Sequence, residues 1–461
     1  MQDGDHLDLE ITDVAHGGVF IARHDGRVVF VEGAIPGERV RAVLTDTSKA
    51  AFWRADVVDV VDASPHRRPH VWAAADVAVP PEDRPGGADF GHIDLAHQRT
   101  LKKQVLDDAL RRFAGIDAPD TTMAAAGAAG ADDRSDGLHW RTRVSLHVDD
   151  EGRIGPFAAR SHRVTPTPDL PLATEAIAEV ARGLEGFAPG RVDLVEPSEG
   201  GVHVIVRPAP QPRAPQSAAP QPRSPRGGAG ARRRGGPRPT SRPTPHRAPE
   251  DPTAREVIVE RVGARRFAVD AGGFWQVHRL AASTLTAAVR SALDAAGGVD
   301  PDGAHLDLYG GVGLFAATIA EIGGPTTRVT SVEADARATE HAGANLAEWV
   351  GARAETERTD RFLGRLVAQA SAAERARLAR GVVLLDPPRA GAGREVVERI
   401  AALTPASVVY VACDPVALAR DLGTFRALGY EAARIDAFDL FPHSHHLEAV
   451  AVLRATGAGA R

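Results

Sequence analysis

The feature that most restricts the possible fold is a glycine-rich turn between an apolar strand and an apolar helix, His305-Leu-Asp-Leu-Tyr-Gly-Gly-Val-Gly-Leu-Phe-Ala316. It contains the G-x-G-x-x-A fingerprint of dinucleotide-binding βαβ units. The glycines let a ligand approach the backbone at the N-terminus of a helix. From about residue 254 onward, strand and helix patterns alternate, which is typical of a doubly wound α/β sheet. The fingerprint alone does not distinguish NAD from S-adenosylmethionine.

Two further strand ends in this region carry polar residues. Glu333 ends a predicted strand over 329–333, and an acid there is suited to ribose hydroxyls in both cofactor classes. The apolar strand over 382–385 leads into Asp386-Pro-Pro-Arg389, where two prolines fix a stiff turn and remove two backbone donors. Such a turn can hold a planar base. NAD dehydrogenases do not need one, so this motif favours methyl transfer.

A third apolar strand, over 408–412, ends at Cys413, the only cysteine in 461 residues. Chemistry in open α/β sheets lies at the carboxyl ends of strands, so the thiol stands where a nucleophile would stand. The alternative is a small buried apolar side chain. A single cysteine excludes a disulfide framework, a cysteine-rich zinc site and an all-cysteine iron–sulfur cluster.

Glu448 precedes the apolar strand over 449–453 and could act as a general base. The alternative is a salt-bridged residue at a sheet edge. Three histidines, His443, His445 and His446, lie just before it. Their spacing fits no ligand pattern carried on a helix, and no cysteine accompanies them, so we predict no metal site.

The first 64 residues show five short strand patterns separated by glycine and proline turns. This pattern predicts a small closed barrel of the OB type, a fold that often binds RNA but also serves as a packing module. We expect residues 65–270 to form a middle α+β domain and residues 271–461 to form the doubly wound, Rossmann-like domain.

Within the middle segment, Asp94 is expected to begin a helix that runs to about Ala114. Its predicted apolar face consists of Leu101, Val105, Leu110 and Phe113. The basic side chains, Lys102 among them, are expected to lie off this face in solvent.

Residues 207–252 are rich in Pro, Arg, Gly and Gln. They hold too little apolar surface to offset chain entropy, so we predict a disordered insertion. Residues 211–250 contain nine arginines and one glutamate, although the whole chain has a net charge of −6. A flexible basic segment would attract phosphates; the alternative is a tolerated surface insertion. The polar N-terminus and the absence of a long apolar run predict a cytoplasmic protein without a signal peptide or membrane contact.

Five motifs occur in one order along the chain. They are Phe274-Trp-Gln276, Asp307-Leu-Tyr-Gly-Gly-Val-Gly313, Asp386-Pro-Pro-Arg389, Cys413-Asp-Pro415 and His446-Leu-Glu448. Together they resemble the RNA uracil-5-methyltransferase family, which makes 5-methyluridine in tRNA and ribosomal RNA. The resemblance covers residues 271–461 well. The N-terminal barrel resembles the family's TRAM domain, and the middle segment matches only loosely.

The resemblance implies roles for single residues. The residues implied to contact S-adenosylmethionine are Gln276, Tyr309, Glu333 and Asp386. Cys413 would attack C6 of a uracil, which makes C5 enolate-like so that it accepts a methyl group, and Glu448 would remove the C5 proton. A free thiol has a pKa of about 8.5. Cys413 therefore needs help to ionise, and the adjacent Asp414 would oppose it.

Two departures from the family pattern are visible. Family members usually carry Asn where this chain has Asp414. Many also carry a cysteine-rich iron–sulfur motif before the helix at 94, whereas the corresponding stretches here, 71–76 and 85–91, contain no thiol. We therefore expect no iron–sulfur cluster and propose that packing replaces it.

We accordingly expect a monomeric, S-adenosylmethionine-dependent enzyme that methylates C5 of a uridine in tRNA or large-subunit ribosomal RNA. Two alternatives stay open. One is an amino-group methyltransferase acting on guanine or adenine in RNA, which would leave Cys413 without a role. The other is a non-catalytic RNA-binding protein on a methyltransferase fold, against which the presence of both Cys413 and Glu448 argues.

Overall fold

A computed structural model of the chain describes residues 1–117, 121–127, 136–209 and 251–456. The predicted disordered insertion, 207–252, lies outside the described residues except at its ends. Residues 207 and 208 complete a strand, and Pro252 begins a short 3-10 helix. The carboxylate of Asp251 accepts a hydrogen bond from the backbone N–H of Val206 (2.7 Å), so the two ends of the insertion lie side by side.

The first five strands form a closed barrel in the order β1-β2-β3-β5-β4. They are β1 (His6–Ala15), β2 (Val19–His24), β3 (Arg27–Glu32), β4 (Arg39–Asp46) and β5 (Phe52–Asp62). Leu7, Leu9 and Ile11 alternate along β1 and point into the core, as the period-two geometry of a strand requires. The predicted OB-type barrel is confirmed.

Helix α1 (Leu95–Ala109) connects the barrel with the C-terminal domain. Asp94 caps it by accepting a hydrogen bond from the backbone N–H of His97 (2.8 Å), as its position in the sequence predicts. The helix continues into one π-helical turn, Leu110–Ala114, and ends at Gly115, where φ is +63°. A left-handed residue of this kind is a common way to end a helix.

Helix α1 is buried on two sides, which corrects the predicted single apolar face. Leu101 packs into the barrel core, whereas Leu106 packs into the core of the C-terminal sheet. Lys102, predicted to lie in solvent, is only 1% exposed, and its ammonium group donates to Asp439 (2.5 Å). Phe113, predicted to be buried, is 44% exposed, because the π turn changes the helical register before it.

The middle segment contributes to two sheets. Strand β6 (Met123–Ala125) joins the C-terminal sheet. The segment's own sheet is antiparallel, has the order β10-β9-β7-β8, and packs with helix α2 (Glu175–Arg182). Its strands are β7 (Arg143–Val148), β8 (Ile154–Gly155), β9 (Gly190–Val195) and β10 (His203–Pro208). Trp72 and Trp140 are buried in its core. A hairpin of β11 (Val257–Val262) and β12 (Arg265–Asp270) then leads into the C-terminal domain.

The C-terminal domain is the predicted doubly wound sheet, with helices on both faces. Its strands are β13 (Ala304–Leu308), β14 (Arg328–Glu333), β15 (Ala352–Thr356), β16 (Val382–Leu385), β17 (Ser407–Ala412), β18 (Tyr430–Asp439) and β19 (Glu448–Ala455). Its helices are α3 (Ala281–Ala295), α4 (Leu314–Gly323), α5 (Ala336–Asn345), α6 (Thr359–Gln369), α7 (Ala372–Leu378), α8 (Arg394–Ala402) and α9 (Pro415–Ala427).

The strand order of this sheet is β15-β14-β13-β16-β17-β19-β18-β6. The five strands from β15 to β17 are parallel, so their carboxyl ends meet along one edge. Strand β19 is antiparallel to β17 and therefore begins at that same edge. In the described part of the chain, no helix is long and apolar enough to cross a membrane.

Candidate active site

The residues singled out in the sequence follow the sheet in strand order. Glu333 ends β14, Tyr309 follows β13, Asp386 follows β16 and Cys413 follows β17. Glu448 is the first residue of β19 and meets the others because that strand runs the opposite way. Neighbouring strands lie about 4.8 Å apart, so three strand spacings, roughly 14 Å, separate β14 from β17. The topology thus aligns the predicted cofactor residues with the thiol.

Glu333 fixes the glycine-rich turn from the neighbouring strand. Its Oε2 accepts a hydrogen bond from the N–H of Gly311 (3.2 Å). Its Oε1 accepts two more, from the N–H groups of Ala334 (2.6 Å) and Asp335 (2.8 Å). The carboxylate is therefore held beside the turn, at the position where an acid meets ribose hydroxyls in dinucleotide-binding folds.

Asp307 supports the turn from inside the sheet. It is fully buried, and its Oδ2 accepts a hydrogen bond from the N–H of Ala316 in α4 (2.9 Å). Among the described residues its Oδ1 has no partner. Burial raises the pKa of Asp307 to about 7, and Asp386 adds to the rise. A Cβ on Gly310 would lie 2.1 Å from Ser331 Oγ and 2.8 Å from Asp307 Oδ2, so only glycine fits there.

Tyr309 and Gln276 approach the same space from two loops. Tyr309 has a φ of +62°, a backbone conformation that residues with a side chain rarely adopt. Its ring is half-buried, and burial raises the pKa of its hydroxyl group. Gln276 follows Trp275, whose ring is anchored in the core, and this fixes the loop between β12 and α3. Both residues line a cavity at this edge of the sheet.

All six residues that the sequence assigned to the site line one cavity of about 1050 Å³. They are Gln276, Tyr309, Glu333, Asp386, Cys413 and Glu448. The cavity lies at the carboxyl edge of the sheet, beneath the middle segment. Ligand pockets usually measure about 300–1,000 Å³, so this cavity has room for a nucleoside cofactor and a second ligand beside it.

Cys413 is half-buried and lines this cavity. Burial raises the pKa of its thiol to about 12, and the carboxyl groups of Glu448 and Asp386 contribute to the rise, whereas Arg389 opposes it. The thiol is therefore protonated at neutral pH in this arrangement. Nucleophilic use of the sulfur requires a change in its surroundings.

Glu448, at the start of β19, lies opposite Cys413, which follows the adjacent strand β17. Ala412 of β17 is in register with Ala449 of β19, so Cys413 and Glu448 are the next residues beyond that pair. Glu448 is only 5% exposed. Burial raises the pKa of Glu448 well above its usual value, and Asp386 raises it further. The site thus holds a thiol and a carboxyl group that are both resistant to ionisation.

Asp414 is engaged away from the thiol that we expected it to oppose. Its Oδ1 accepts hydrogen bonds from the N–H groups of Val416 (3.0 Å) and Ala417 (2.8 Å) and so caps α9. Its Oδ2 accepts from Nε2 of His16 in the turn between β1 and β2 (3.0 Å). Burial acts against it, but these hydrogen bonds lower the pKa of Asp414. The acids that raise the pKa of Cys413 are others.

The three histidines before β19 each have a different partner. His443 is fully buried, and its Nε2 donates to the carbonyl oxygen of Asp136 (2.8 Å). His445 bonds the carboxylate of Asp89, and His446 accepts from Arg389 (3.3 Å). Throughout the residues described by the structure, no group of three or more His, Cys, Asp or Glu side chains is arranged to hold a metal ion.

An acid that the sequence analysis missed lines the cavity beyond Glu333. Asp270, the last residue of β12, accepts hydrogen bonds from Arg337 (2.8 and 3.1 Å) and from Nε2 of His341 (2.6 Å). Burial acts in the opposite direction, but these bonds lower the pKa of Asp270. Its only sequence signal is the end of a hairpin strand outside the doubly wound pattern.

The middle segment also supplies part of the wall. Trp140 stacks on His278 with ring centroids 5.3 Å apart and meets Phe441 edge-on at 6.1 Å. Arg141 beside it lines the cavity, and burial together with Arg389 lowers the pKa of its guanidinium group. The loose resemblance of the middle segment to the family is the only sequence signal that pointed to this wall.

The fold and the cavity define a class of protein. A doubly wound sheet with a glycine-rich turn, an acid at the end of the next strand and a stiff Asp-Pro-Pro turn has the architecture of the S-adenosylmethionine-dependent methyltransferases. The sequence profile of the tRNA (uracil-5-)-methyltransferase family matches residues 286–456, and that of the TRAM domain matches residues 2–58. The chain belongs to the RNA uracil-5-methyltransferase family, and its barrel is a TRAM domain.

Similar proteins support this assignment over the whole length. An uncharacterized RNA methyltransferase of Streptomyces avermitilis is 36% identical and aligns with 99% of this chain and 100% of its own. The 23S rRNA (uracil(1939)-C(5))-methyltransferase RlmD of Halomonas elongata is 31% identical over 97% of this chain and 89% of its own. Among solved structures, the tRNA (uracil-54, C5)-methyltransferase of Pyrococcus abyssi, in complex with S-adenosyl-L-homocysteine, has the same fold. It matches with a TM-score of 0.62 and 19% identity, over 96% of this chain and 99% of its own.

Proposed function

We propose that this protein transfers a methyl group from S-adenosylmethionine to C5 of a uridine in RNA, with Cys413 as nucleophile and Glu448 as base. One observation carries the proposal. The only thiol of the chain and a buried carboxyl group face each other across adjacent strands and open into the cavity that also contains the glycine-rich turn.

The residues at the other end of the cavity fit S-adenosylmethionine. The absence of a side chain at Gly310 lets the turn pack directly against Ser331 and Asp307, Gly311 lines the cavity, and the carboxylate of Glu333 lies beside the turn where a ribose would bind. Gln276, Tyr309 and Asp386 line the same cavity as the turn and the thiol. The cofactor would supply a methyl group bound to a positively charged sulfur. A positive charge there would favour the ionised form of Asp386, whose pKa burial raises to about 7.

The proposed chemistry explains why these two side chains face each other. The target uracil must leave its stack to reach the cavity. The Cys413 thiolate would add to C6, and the electron pair displaced to C5 would take the methyl group as its bond to the cofactor's sulfur breaks, which leaves S-adenosylhomocysteine. Glu448 then removes the remaining proton from C5. The electrons of that C–H bond restore the C5–C6 double bond and expel the thiolate.

Arg389 is the cation that assists ionisation in this proposal. It opposes the rise in the pKa of both Cys413 and Glu448. Its Nη2 also contacts Nε2 of His446, which keeps the guanidinium group beside the thiol. An arginine is permanently charged, so it stabilises the thiolate and the carboxylate at any physiological pH.

The experiment is to compare 5-methyluridine by nucleoside mass analysis in tRNA and 23S rRNA from cells that lack the gene. The cells are complemented with the wild-type chain or with Cys413→Ala. We expect the wild type to restore one 5-methyluridine and Cys413→Ala to restore none, while the purified variant still binds S-adenosylmethionine. The two RNA fractions separate the substrates that the relatives' names indicate, 23S rRNA and tRNA.

Two results would contradict the proposal. A missing N-methylated guanosine or adenosine, restored equally by both chains, would support an amino-group methyltransferase. An unchanged set of methylated nucleosides, together with RNA binding, would support a non-catalytic RNA-binding protein.

A further inference from the structure

The turn between β1 and β2 of the TRAM barrel contacts, at two points, the edge of the C-terminal sheet that carries the candidate active site. The first is the hydrogen bond from His16 to Asp414 (3.0 Å), between residues 398 positions apart. The second is at Gly18, where φ is +76°. A Cβ on Gly18 would lie 2.7 Å from Asp89 Oδ2 and 2.8 Å from His445 Nδ1, so the backbone of the turn lies directly against that pair.

The first contact leads to Cys413 through one residue. Asp414 follows Cys413 directly, and its two carboxylate oxygens have separate tasks: Oδ1 caps α9, and Oδ2 accepts from His16. The orientation of the backbone at Asp414 is therefore fixed from the helix on one side and from the barrel on the other. Because Cys413 is the residue before it, the same two contacts restrain the backbone that carries the sulfur.

The turn also closes a space beside the thiol. A second cavity of about 120 Å³ is lined by Ala15 at the end of β1, by His16 and Gly17 of the turn, and by Cys413. It shares Cys413, Arg389 and His446 with the large cavity. The barrel therefore forms a wall of the space next to the candidate nucleophile.

We infer that His16 is a positioning residue for the methyl-transfer reaction, holding Cys413 in its reactive orientation through Asp414. The expected effect of His16 on turnover rests on the proposed function. The expected effect of His16 on the reactivity of the Cys413 thiol is independent of that function. His16 is 44% exposed, and exposed ion pairs add little to stability. Its removal should therefore leave folding unchanged and alter the thiol.

The sole cysteine allows a direct test, because alkylation by iodoacetamide reports on Cys413 alone. In His16→Ala the Asp414 carboxylate loses its donor, and its negative charge acts on the neighbouring thiolate. We expect alkylation at one fixed pH to slow by about fivefold. In an Asp414→Asn background, where that charge is absent, we expect His16→Ala to change the rate by less than about twofold. An unchanged rate in His16→Ala, or an equal effect in both backgrounds, would overturn the inference.

Turnover and two further variants complete the test. We expect His16→Ala to lower kcat about fivefold with the KM for RNA and the affinity for S-adenosylmethionine unchanged, and His16→Gln, which keeps a donor for Asp414, to recover most of it. A raised KM with unchanged kcat would mean that the turn only contacts RNA, and the inference would be wrong.

The matched control is His6→Ala, which removes an exposed histidine at the start of β1 and should change neither the alkylation rate nor kcat. If the wild type transferred no methyl group, the proposed function would fail, while the alkylation arm would still decide the inference.

Discussion

Cys413 and Glu448 present the same difficulty to the proposed reaction, since burial raises the pKa of both groups in a site that needs each of them charged in turn. The order in which the two groups react in the proposed mechanism resolves this difficulty. The thiolate must exist before the C5 proton is removed, and a protonated Glu448 does not oppose it electrostatically. Ionisation of the acid is needed only after the sulfur has been consumed in the C6 bond.

That order predicts a trapped intermediate. In Glu448→Gln the thiol can still add and the methyl group can still be transferred, but no base removes the C5 proton, so the enzyme stays attached to RNA. We expect a slower band on a denaturing gel that contains both protein and methyl label. Glu431→Gln, an exposed acid on the neighbouring β18, should give no such band. Free methylated RNA at the wild-type rate from Glu448→Gln would remove Glu448 from the mechanism.

Three of the residues placed by motif were predictable because each stands at the carboxyl end of a parallel strand, and parallel strands bring these ends together whatever their distance in sequence. Glu333, Asp386 and Cys413 follow this rule and line one cavity. Asp270 and His16 could not be found this way. Asp270 lies on a hairpin outside the sheet, and His16 reaches Asp414 only because the barrel docks there, which no local pattern encodes.

At the scale of elements, the glycine-rich turn requires that residue 310 has no side chain. In Gly310→Ala the added Cβ would displace Ser331 and the buried Asp307. We expect the affinity for S-adenosylmethionine, measured by calorimetry, to fall by about tenfold or more, since displacing both groups costs more than ~1.4 kcal/mol.

Gly343→Ala is the matched control for that substitution. Gly343 lies within α5, and a Cβ there meets nothing within 4 Å. Alanine is the better helix former by about 1 kcal/mol, so this variant should bind the cofactor normally and unfold at a slightly higher temperature. Equal cofactor affinity in the two variants would show that the turn does not hold the ligand.

Helix α1 shows where element prediction reaches its limit. Its start was predictable from Asp94, because a cap is a local interaction. Its environment was not, because it lies between two cores. The ammonium group of Lys102 donates to the carbonyl of Phe441 and the carboxylate of Asp439. A basic residue that the sequence pattern predicts to be solvent-exposed is therefore buried. Amphipathic periodicity in a sequence indicates one buried face of a helix and gives no signal for a second buried face.

At the scale of the whole molecule, the predicted barrel and doubly wound sheet are present, while the boundaries at 64/65 and 270/271 stay predictions. The three parts of the chain meet around the candidate active site. The barrel reaches Asp414, and the middle segment covers the cavity with Trp140 and Arg141. A site assembled from three parts of the chain explains why the motifs of the last part alone did not reveal all of its walls.

The placement of β6 has a practical consequence for anyone who trims the protein to its last domain. Its three residues hydrogen-bond along the outer side of β18, where Met123 pairs with Ala437. A truncation starting at residue 271 would uncover this strand and invite self-association. It would also remove Lys102, whose ammonium group donates to Asp439. Light scattering should find aggregates of the fragment at concentrations where the intact chain stays dispersed. A well-behaved, monodisperse fragment would mean that this covering strand is dispensable.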